Sequence, residues 1–539
     1  MTTVKDRIRG NAETDDYYII DDDGIRIPDH TRLEGTNEFL RRCQPVDVAD
    51  VEDRTYGTPV ASRDGTVYVD TEPCHCLIIG GSGTGKTLSF TLIKAIQALK
   101  AGHSVVYQAS RRNNLKVLQD TAKQLGIEPV IIDLENPQYS DPFPILFPVS
   151  KNIRSEDPWD RIRGMNMASS IVNSALLFNS TQNAEWLMGT TNFTEGALEF
   201  VTREIDGPEM NTRSILKVVE TVLDPEDSPL KRTIEDDDHY KAKFGPILLQ
   251  SAMTTLEGYK SVFHSTFVLT LCSPRFAPVL NGSRTEIFSM DQKQQLLILI
   301  SPEGDPIAAS ITKMILSILH DVIVDNVGSY GGTSELPVDF ILDEFGFLGF
   351  EAARQWVSQD RERGFYHTHG CQSLRQITAD DDSILDNYKI LIFTGSSNIS
   401  TLNEFQSMLV VNRIPLISAD QLRKMQVGEA VIITRGRNPY YARMMNLRDM
   451  VDSGPLEGKK REYVDLPTID KDFVPKSKKS KKVIFDLNYS EYLRLTNNVK
   501  EPEDASNENK KKAVKKEVED DQERRIKHDE EVISLLHGV

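Results

Sequence analysis

The chain has 539 residues, too many for one small domain, and its 39% hydrophobic and 27% charged residues are ordinary for a globular protein. The net charge of -18 argues against a protein that coats DNA through bulk positive potential, although it allows a basic channel inside an acidic assembly. Five scattered cysteines are too few for a disulfide framework, which fits a reducing cytosol.

A membrane-spanning segment is not expected from the sequence. Crossing a bilayer takes roughly 18 to 20 apolar residues, and the best apolar run, 311–327, is interrupted at positions 313, 320, 321 and 325. The acidic N-terminus is unlike a signal peptide. We therefore expect a soluble protein of the cytosol, which would need a partner to hold it if it works at a membrane.

Residues 1–54 form a polar N-terminal arm in this interpretation. Its segment Tyr17-Tyr18-Ile19-Ile20 lies between carboxylates, and this pattern leaves open an arm that docks on a partner or a solvated extension, with the second favoured. Alternation over 58–70, with a turn at 63–65, predicts two strands.

A phosphate-binding loop with the pattern G-x-x-x-x-G-K-[ST] occupies residues 80–87. The apolar run 76–79 predicts a buried strand before it, and 88–99 predicts the helix that it opens into. Glycines allow backbone N–H groups to point at phosphates, so we expect ATP with Mg²⁺ rather than a glycine-rich turn that binds nothing. The predicted nucleotide-binding residues are Gly80, Gly81, Ser82, Gly83, Thr84, Gly85, Lys86 and Thr87, with Lys86 on the β/γ-phosphates and the Thr87 hydroxyl on Mg²⁺.

The rhythm of strands and helices predicts an α/β fold with a parallel central sheet that is interrupted by a helical insertion. Residues 55–150 hold the first part of the nucleotide-binding domain, 151–294 the all-helical insertion, and 295–451 the second part. Expected helices of the insertion are 165–178, 192–205, 213–222 and 247–263. Expected strands after the phosphate loop are 104–107, 129–134, 295–300, 338–342, 368–372, 390–393 and 430–434.

Hydrolysis of a bound nucleotide needs carboxylates at the end of a neighbouring strand. Asp343 and Glu344 follow the strand 338–342, and we expect Asp343 to order Mg²⁺ and Glu344 to act as general base. An arginine from a neighbouring subunit is the usual accelerator of such a reaction. The candidates are Arg361, Arg363, Arg413, Arg435 and Arg437.

Residues 452–539 turn polar and are expected to be a charged linker and a largely flexible tail. The basic run K-S-K-K-S-K-K (476–482) offers contact with nucleic acid or anionic lipid, although such runs are more often solvated linkers.

Several motifs together resemble the type IV coupling proteins, the TraG/TraD-like ATPases of conjugation and type IV secretion. L-D-E-F-G-F-L-G (342–349) is similar to the L-D-E-F-x-x-L-G signature of that family, and D-R-E-R-G (360–364) to its following basic segment. C-Q-S-L-R-Q-I (371–377) resembles Q-S-x-x-Q-L, and I-P-L-I-S-A-D-Q-L (414–422) resembles P-L-(I/L)-x-x-D-E-L. The stretch 133–144 is similar to the D-L…N-P-L segment.

This resemblance covers roughly residues 55–450 and implies a RecA-like domain with an inserted all-helical domain, assembled as a homo-hexamer. It implies that Gln372 senses the γ-phosphate and that Arg361 is the finger into the next subunit. The implied partners are single-stranded DNA in a relaxase complex, relaxosome proteins, a separate membrane anchor and other secretion-channel ATPases.

Two departures from the family pattern stand out. Family members usually begin with transmembrane helices, so this chain resembles the variants without them that are found in Gram-positive conjugation systems. The D-P-K-G-E-like motif is replaced by Q-A-S-R-R-N (108–113), where Arg111 or Arg112 offers positive charge at the same place.

Three functions remain open at this point. The first is an ATP-driven motor that recruits a relaxase–DNA substrate and drives or licenses its transfer to a type IV secretion channel. The second is a nucleotide-binding adaptor without DNA translocation, and the third is a general hexameric DNA translocase or type IV assembly ATPase. Glu344 favours the motor because a pure adaptor does not need a hydrolytic base.

Overall fold

The computed structural model describes the backbone of residues 8–11, 16–20 and 26–28, and then residues 32–176, 184–248, 253–328, 332–378, 382–411, 413–463 and 465–475. The basic run 476–482 and the rest of the predicted tail lie outside these residues.

Two small antiparallel sheets precede the phosphate loop. The first contains β1 (Ile8–Asn11), β2 (Asp16–Ile20) and β3 (Arg26–Pro28), so the predicted polar arm includes regular structure. The second has the order β4-β6-β5, with β4 at Gln44–Val46, β5 at Thr58–Arg63 and β6 at Thr66–Asp70. Asp64 and Gly65 have φ values of 50° and 84° in the β5–β6 turn, which confirms the hairpin predicted from the alternation.

The main sheet has nine strands in the order β17-β16-β13-β7-β12-β11-β8-β10-β9. The seven strands from β13 to β9 are parallel, and β16 and β17 add antiparallel strands at one edge. Continuous apolar runs form the parallel strands because helices or the insertion cover both faces of the sheet. The strands are β7 (Cys76–Ile79), β8 (Ser104–Ala109), β9 (Val130–Asp133), β10 (Leu296–Ile300), β11 (Val338–Leu342), β12 (Phe365–Cys371), β13 (Ile390–Phe393), β16 (Glu429–Thr434) and β17 (Tyr440–Arg443), and a separate hairpin contains β14 (Val410–Val411) and β15 (Ile414–Pro415).

Strand β7 shows how the sheet separates two cores. Leu77 and Ile79 belong to the core shared with the helical insertion, whereas Cys76 and Ile78 belong to the core on the other face. Successive side chains of a strand point to opposite faces, so one short apolar strand contributes to both cores. All four residues are buried, and so are Cys74 and His75 just before them.

The insertion is helical, as its periodicity predicts. Its α-helices in the described residues are Phe147–Ile153, Pro158–Leu176, Ala184–Glu204, Thr212–Leu223, Pro229–Glu235, Asp238–Lys243, Gly245–Leu248, Met253–Phe263 and Ala277–Leu280. Helix Met253–Phe263 continues into a π-helical segment, His264–Cys272. Side chains of these helices share one continuous core with the sheet, which fixes the insertion against the main sheet.

The remaining helices cover or flank the sheet. They are Thr36–Leu40, Leu92–Lys100, Lys116–Gln124, Pro306–Val327, Phe345–Leu348, Glu351–Trp356, Arg375–Thr378, Ile399–Ser407 and Ala419–Arg423. Asp305 caps Pro306–Val327 by accepting hydrogen bonds from the N–H groups of Ile307 and Ala308. In the part of the chain that was searched, this helix alone has the length and hydropathy to cross a membrane, and 61% of its most apolar window is buried inside the fold.

Residues 455–463 and 465–473, here called the C-terminal strap, differ from the flexible segment expected from residue 452. The Leu456 N–H donates to the Arg112 carbonyl at 2.9 Å. The Leu456 carbonyl accepts a hydrogen bond from the Arg112 side chain at 2.8 Å. Further along, the Pro467 carbonyl accepts a bond from Asn211 of the insertion at 2.6 Å. Leu456 and Ile469 are only 3% exposed, and this apolar burial offsets the entropy of ordering a segment without helix or strand.

Candidate active site

The phosphate loop follows β7 directly and curls back on itself. Gly83 and Gly85 have φ values of 77° and 99°, a region of backbone conformation that favours glycine. Lys86 is 6% exposed, and its Nζ donates to the carbonyls of Gly80 (2.7 Å) and Gly81 (3.2 Å). The lysine predicted to meet phosphate therefore lies within the curl of the loop.

The segment after β13 packs against the other side of the loop. Gly81 N donates to the Gly395 carbonyl at 2.9 Å, and the hydroxyls of Thr84 and Thr394 are 2.7 Å apart. A Cβ at Gly80 would collide with the Thr394 hydroxyl. Glycine is required at this position because a neighbouring strand end approaches the backbone so closely.

Asp343 lies at the end of β11 and contacts the first turn of the helix that follows the loop. Its Oδ2 accepts a hydrogen bond from Thr87 Oγ1 at 2.7 Å, and its Oδ1 accepts one from Thr91 Oγ1 at 2.6 Å. Burial raises the pKa of Asp343, and the two threonine hydroxyls oppose that rise. Thr87 and Asp343, predicted separately as ligands of Mg²⁺, lie in direct contact.

Glu344 is the second carboxylate of the pair. Burial raises its pKa to about 7 and the Asp343 charge adds to the rise, whereas the positive charges of Lys86 and Arg111 oppose it. Its backbone N–H donates to Gln108 Oε1 at 3.3 Å, while its Oε2 is buried with no hydrogen-bond partner in the described residues. A carboxylate with a pKa near neutrality and a free oxygen suits a general base.

A cavity of about 190 Å³ opens beside Glu344 at the carboxyl ends of β8 and β10. Gln108 and the turn 301–306 form part of its wall, and Phe347 and Leu348 close another part. The carboxyl ends of parallel strands are the usual ligand-binding edge of such a sheet. The candidate base thus lines a space at the edge where the phosphate loop lies.

The donor set fits Mg²⁺ that is bound together with a nucleotide. Mg²⁺ usually takes one or two protein oxygens and completes its shell with phosphate and water, and the Thr87 hydroxyl with the Asp343 carboxylate supplies such a pair. Within the residues that were searched, no group of three or more His, Cys, Asp or Glu side chains offers an independent metal site. Thr87 and Asp343 are therefore the residues that would hold Mg²⁺ beside a bound nucleotide.

Residues 337–414 match the family model described as the TraM recognition site of TraD and TraG. Over these residues the chain is similar to TraD and TraG. The match begins one residue before β11 and includes the acidic pair, Arg361 and Gln372. A search of the curated proteins finds no match.

Several solved structures share the fold of this chain. The bacterial conjugative coupling protein TrwBdeltaN70, in an unbound form, is 13% identical with a TM-score of 0.51, covering 80% of this chain and 99% of that chain. TrwB with the ATP analogue ADPNP is 14% identical with a TM-score of 0.51, and TrwB with ADP and Mg²⁺ is 15% identical with a TM-score of 0.50; each alignment covers 80% of this chain and 95% of the other. These likenesses confirm the predicted α/β phosphate-loop fold.

Gln372 lies beside the phosphate loop. It directly follows β12, whose last residue, Cys371, accepts a hydrogen bond from Gly80 N through its carbonyl at 3.0 Å. Gln376 Oε1 accepts from the N–H groups of Gln372 (2.7 Å) and Ser373 (3.3 Å) and holds the turn. The residue predicted to sense the γ-phosphate therefore stands next to the start of the phosphate loop.

Arg361 lies at the opposite edge of the sheet. It begins the turn Arg361–Arg363 before β12, roughly 20 Å from the loop by the rise of a seven-residue strand. Its side chain is 62% exposed, with Nη2 3.8 Å from Glu72 Oε1. At this distance the Arg361 side chain does not reach the phosphate loop of its own chain.

The other candidate arginines occupy three different environments. Arg363 donates to the buried Asp360 at 3.0 Å, so it is committed to the fold. Arg413 is exposed in the β14–β15 hairpin with φ of 67°. Arg435 and Arg437 are exposed in the β16–β17 turn, on the same edge as Arg361, where Arg435 N donates to the Lys389 carbonyl at 2.9 Å.

The two arginines of the segment 108–113 have different contacts. Arg112 pairs with Asp133 at 2.5 Å and with the C-terminal strap, while Arg111 is exposed and its charge lowers the pKa of Glu344. Gln108 orients the start of the acidic turn through Glu344 N. Of the two arginines, Arg111 is the one that acts electrostatically on the candidate base.

Thr91 and Thr394 are the site residues that motif reading missed. Thr91 lies four residues after Thr87, a spacing that places both on one side of a helix, so periodicity gave a signal for it. Thr394 follows a buried strand of the main sheet, and the rule that ligands bind at carboxyl ends of strands points to it.

Proposed function

We propose that this TraG/TraD-like chain is an ATPase that recruits a relaxase–DNA substrate and drives or licenses its transfer to a type IV secretion channel. The observation that carries the proposal is the contact between Thr87 and Asp343 with Glu344 as the next residue, because it unites the phosphate loop and the acidic pair in one site. The match to the TraM recognition site supports contact with a relaxosome protein.

Each predicted residue has a role in hydrolysis under this proposal. Lys86 and the loop N–H groups bind the β- and γ-phosphates, and Thr87 and Asp343 hold Mg²⁺. Bound Mg²⁺ neutralises charge that develops on the phosphate oxygens. Glu344 takes a proton from the attacking water.

Two further residues report on the γ-phosphate. Gln372 contacts it from the turn beside the loop, and Arg361 enters from a neighbouring chain, since it is too far from its own loop. The active assembly is therefore a homo-oligomer, which we propose to be a hexamer. Single-stranded DNA, a membrane anchor and other secretion ATPases are its remaining proposed partners, at the cytoplasmic face of the membrane.

ATP turnover of the wild type and of Glu344→Gln, with and without single-stranded DNA, tests the proposal. We expect Glu344→Gln to reduce turnover at least about 100-fold, the lower end of the range for removal of a general base. Glu351→Gln is the matched control because it changes an exposed glutamate seven residues later, and it should keep turnover within about twofold.

The DNA arm separates the motor from the adaptor. For a motor, single-stranded DNA should raise turnover, and this effect should weaken at higher salt because Lys and Arg contacts to phosphates are screened. Turnover in the wild type that equals that of Glu344→Gln under every condition would contradict the ATPase and favour the adaptor. Turnover that does not change when single-stranded DNA is added would support an ATPase but contradict the motor function.

A further inference from the structure

The residue before Arg361 is a fully buried carboxylate. Asp360 is 0% exposed, and its Oδ2 accepts hydrogen bonds from His320 Nε2 (2.8 Å) and His367 Nε2 (2.7 Å). Its Oδ1 accepts one from Arg363 at 3.0 Å. Burial alone would raise its pKa, but the bonds from the two histidines outweigh burial and hold the pKa of Asp360 well below its usual range.

The backbone of the same residue closes the turn that carries Arg361. The Asp360 carbonyl accepts hydrogen bonds from Arg363 N (3.0 Å) and Phe365 N (3.1 Å), and Gly364 completes the turn with φ of 84°. The side chain of Asp360 is anchored in the core while that of Arg361, one residue later, is largely exposed. Asp360 therefore fixes the backbone position from which the exposed Arg361 side chain extends.

Aromatic and histidine rings continue from Asp360 toward the acidic pair. His367 stacks on Phe340 of β11 at 5.1 Å, and His369, two residues further on the same face of β12, stacks on Phe345 at 4.2 Å with an interplanar angle of 6°. Phe345 directly follows Glu344. A continuous series of packed rings thus joins the Arg361 turn to the residue after the candidate base.

His320 ties the turn to the long core helix Pro306–Val327. Its ring stacks on Trp356 at 3.9 Å with an interplanar angle of 11°. Since both histidines and Arg363 share one carboxylate, a displacement of Asp360 breaks three hydrogen bonds at once. Such a buried network has one well-defined arrangement, as precise placement of a neighbouring side chain requires.

We propose that Asp360 is a positioning residue, which holds Arg361 in place for the triphosphate bound to a neighbouring copy of this chain. The ring series through His367 and His369 links that turn to the acidic pair of its own copy. This inference rests on the proposed function of Arg361 in trans. It assigns a role in the reaction to a buried network that the phosphate-loop chemistry does not use.

Assemblies that mix two variants test the proposal. A neighbouring copy can supply a correctly placed Arg361, but it cannot correct a folding defect. We expect Asp360→Asn to lower kcat at least tenfold and leave the Kd for a non-hydrolysable ATP analogue within twofold. In mixtures with Lys86→Ala, the Asp360→Asn copies keep an intact nucleotide site and receive a well-placed Arg361 from the Lys86→Ala copies. Turnover should therefore rise at least threefold above the sum of the two variants measured alone.

Asp339→Asn is the matched control, since Asp339 is also fully buried, bonds a histidine and lies on the adjacent strand β11. Any loss of turnover in that variant should not recover on mixing with Lys86→Ala. His320→Phe is the milder second variant because it keeps a ring on Trp356 and removes one bond to Asp360, and it decides the matter if Asp360→Asn does not fold. We expect it to lose kcat less than Asp360→Asn and to recover on mixing.

Arg361→Ala separates the two possible failures. Recovery of Arg361→Ala but not of Asp360→Asn or His320→Phe on mixing with Lys86→Ala would overturn the positioning role and leave the trans arginine intact. Absence of recovery for Arg361→Ala itself would overturn the trans role of Arg361 in the proposed function, and the positioning role with it. Full kcat in Asp360→Asn would overturn the inference alone.

Discussion

Thr87 Oγ1 donates a 2.7 Å hydrogen bond to the Asp343 carboxylate, although 256 residues separate the two along the chain. The long insertion between them leaves this contact unaffected because β7 and β11 both flank β12 in the main sheet. Their carboxyl ends therefore lie at one edge, and the residues that follow them meet there.

Thr91→Val should weaken Mg²⁺ binding without removing the nucleotide site. Valine keeps the shape of the side chain but loses the hydroxyl that donates to Asp343 Oδ1, so the carboxylate is less well oriented toward the metal. Groups that orient metal ligands typically contribute about 10- to 100-fold in affinity. We expect the Mg²⁺ concentration for half-maximal ADP binding to rise about tenfold, measured by titration calorimetry.

Thr190→Val is the matched control for that substitution. Thr190 is also fully buried, but it lies in the insertion and its hydroxyl has no hydrogen-bond partner in the described residues. It should leave the Mg²⁺ requirement unchanged. Equal Mg²⁺ requirements for the wild type and Thr91→Val would show that Asp343 does not depend on this threonine.

Asp339→Asn should strongly destabilise the fold. Asp339 and Lys94 are each 1% exposed with Nζ 3.7 Å from Oδ1, and His103 and Tyr56 complete the contacts of the carboxylate. Removing one partner of a buried pair leaves the other charge uncompensated, a loss of about 3 to 5 kcal/mol. The free energy of unfolding should fall by that amount in urea titrations, and the double variant with Lys94→Met should recover part of it.

The pair of Asp339 and Lys94 also predicts how the stability difference between the wild type and Asp339→Asn depends on pH. Burial would raise the pKa of Asp339, but Lys94 and His103 outweigh burial and lower it. A lowered folded pKa stabilises the protein above the unfolded pKa of about 3.9, and that contribution is lost as the pH falls through the folded value. The stability difference between the wild type and Asp339→Asn should thus be constant from pH 5 to 7 and shrink below about pH 4. A constant difference down to pH 3 would contradict the assignment.

The sequence predicted local features of this fold well and long-range ones less completely. The strands 76–79 and 338–342 were correct because each depends on a continuous apolar run. Thr394 was missed because its role comes from the order of strands, which places β13 beside β7. The position of Arg361 at the far edge also follows from the direction of β12, which a linear motif does not specify.

Composition predicted a flexible segment where the C-terminal strap lies, and this prediction was wrong. Residues after 452 are polar and lack helical or strand periodicity, the pattern that predicts flexibility, yet single apolar side chains at wide spacing anchor the strap. Its backbone groups pair with Arg112, Asn211 and Leu230 in place of a regular ladder. Periodicity rules do not detect burial of this kind.

Ile469→Ala and Leu456→Ala should each lower the free energy of unfolding by about 2 to 5 kcal/mol, the usual cost of truncating a buried aliphatic side chain. Both residues are 3% exposed, Leu456 against the nucleotide-binding region and Ile469 beside Ser214 of the insertion, whose Oγ accepts a bond from Ile469 N at 3.4 Å. Val474→Ala is the matched control, because Val474 directly follows the strap and is 55% exposed, so this substitution should change stability by less than about 0.5 kcal/mol. Urea titrations of the full chain give the three values. Losses no larger than that of Val474→Ala would mean that the strap is not packed, whereas a large loss for only one of the two would show that the strap is anchored on a single region and does not join the insertion to the sheet.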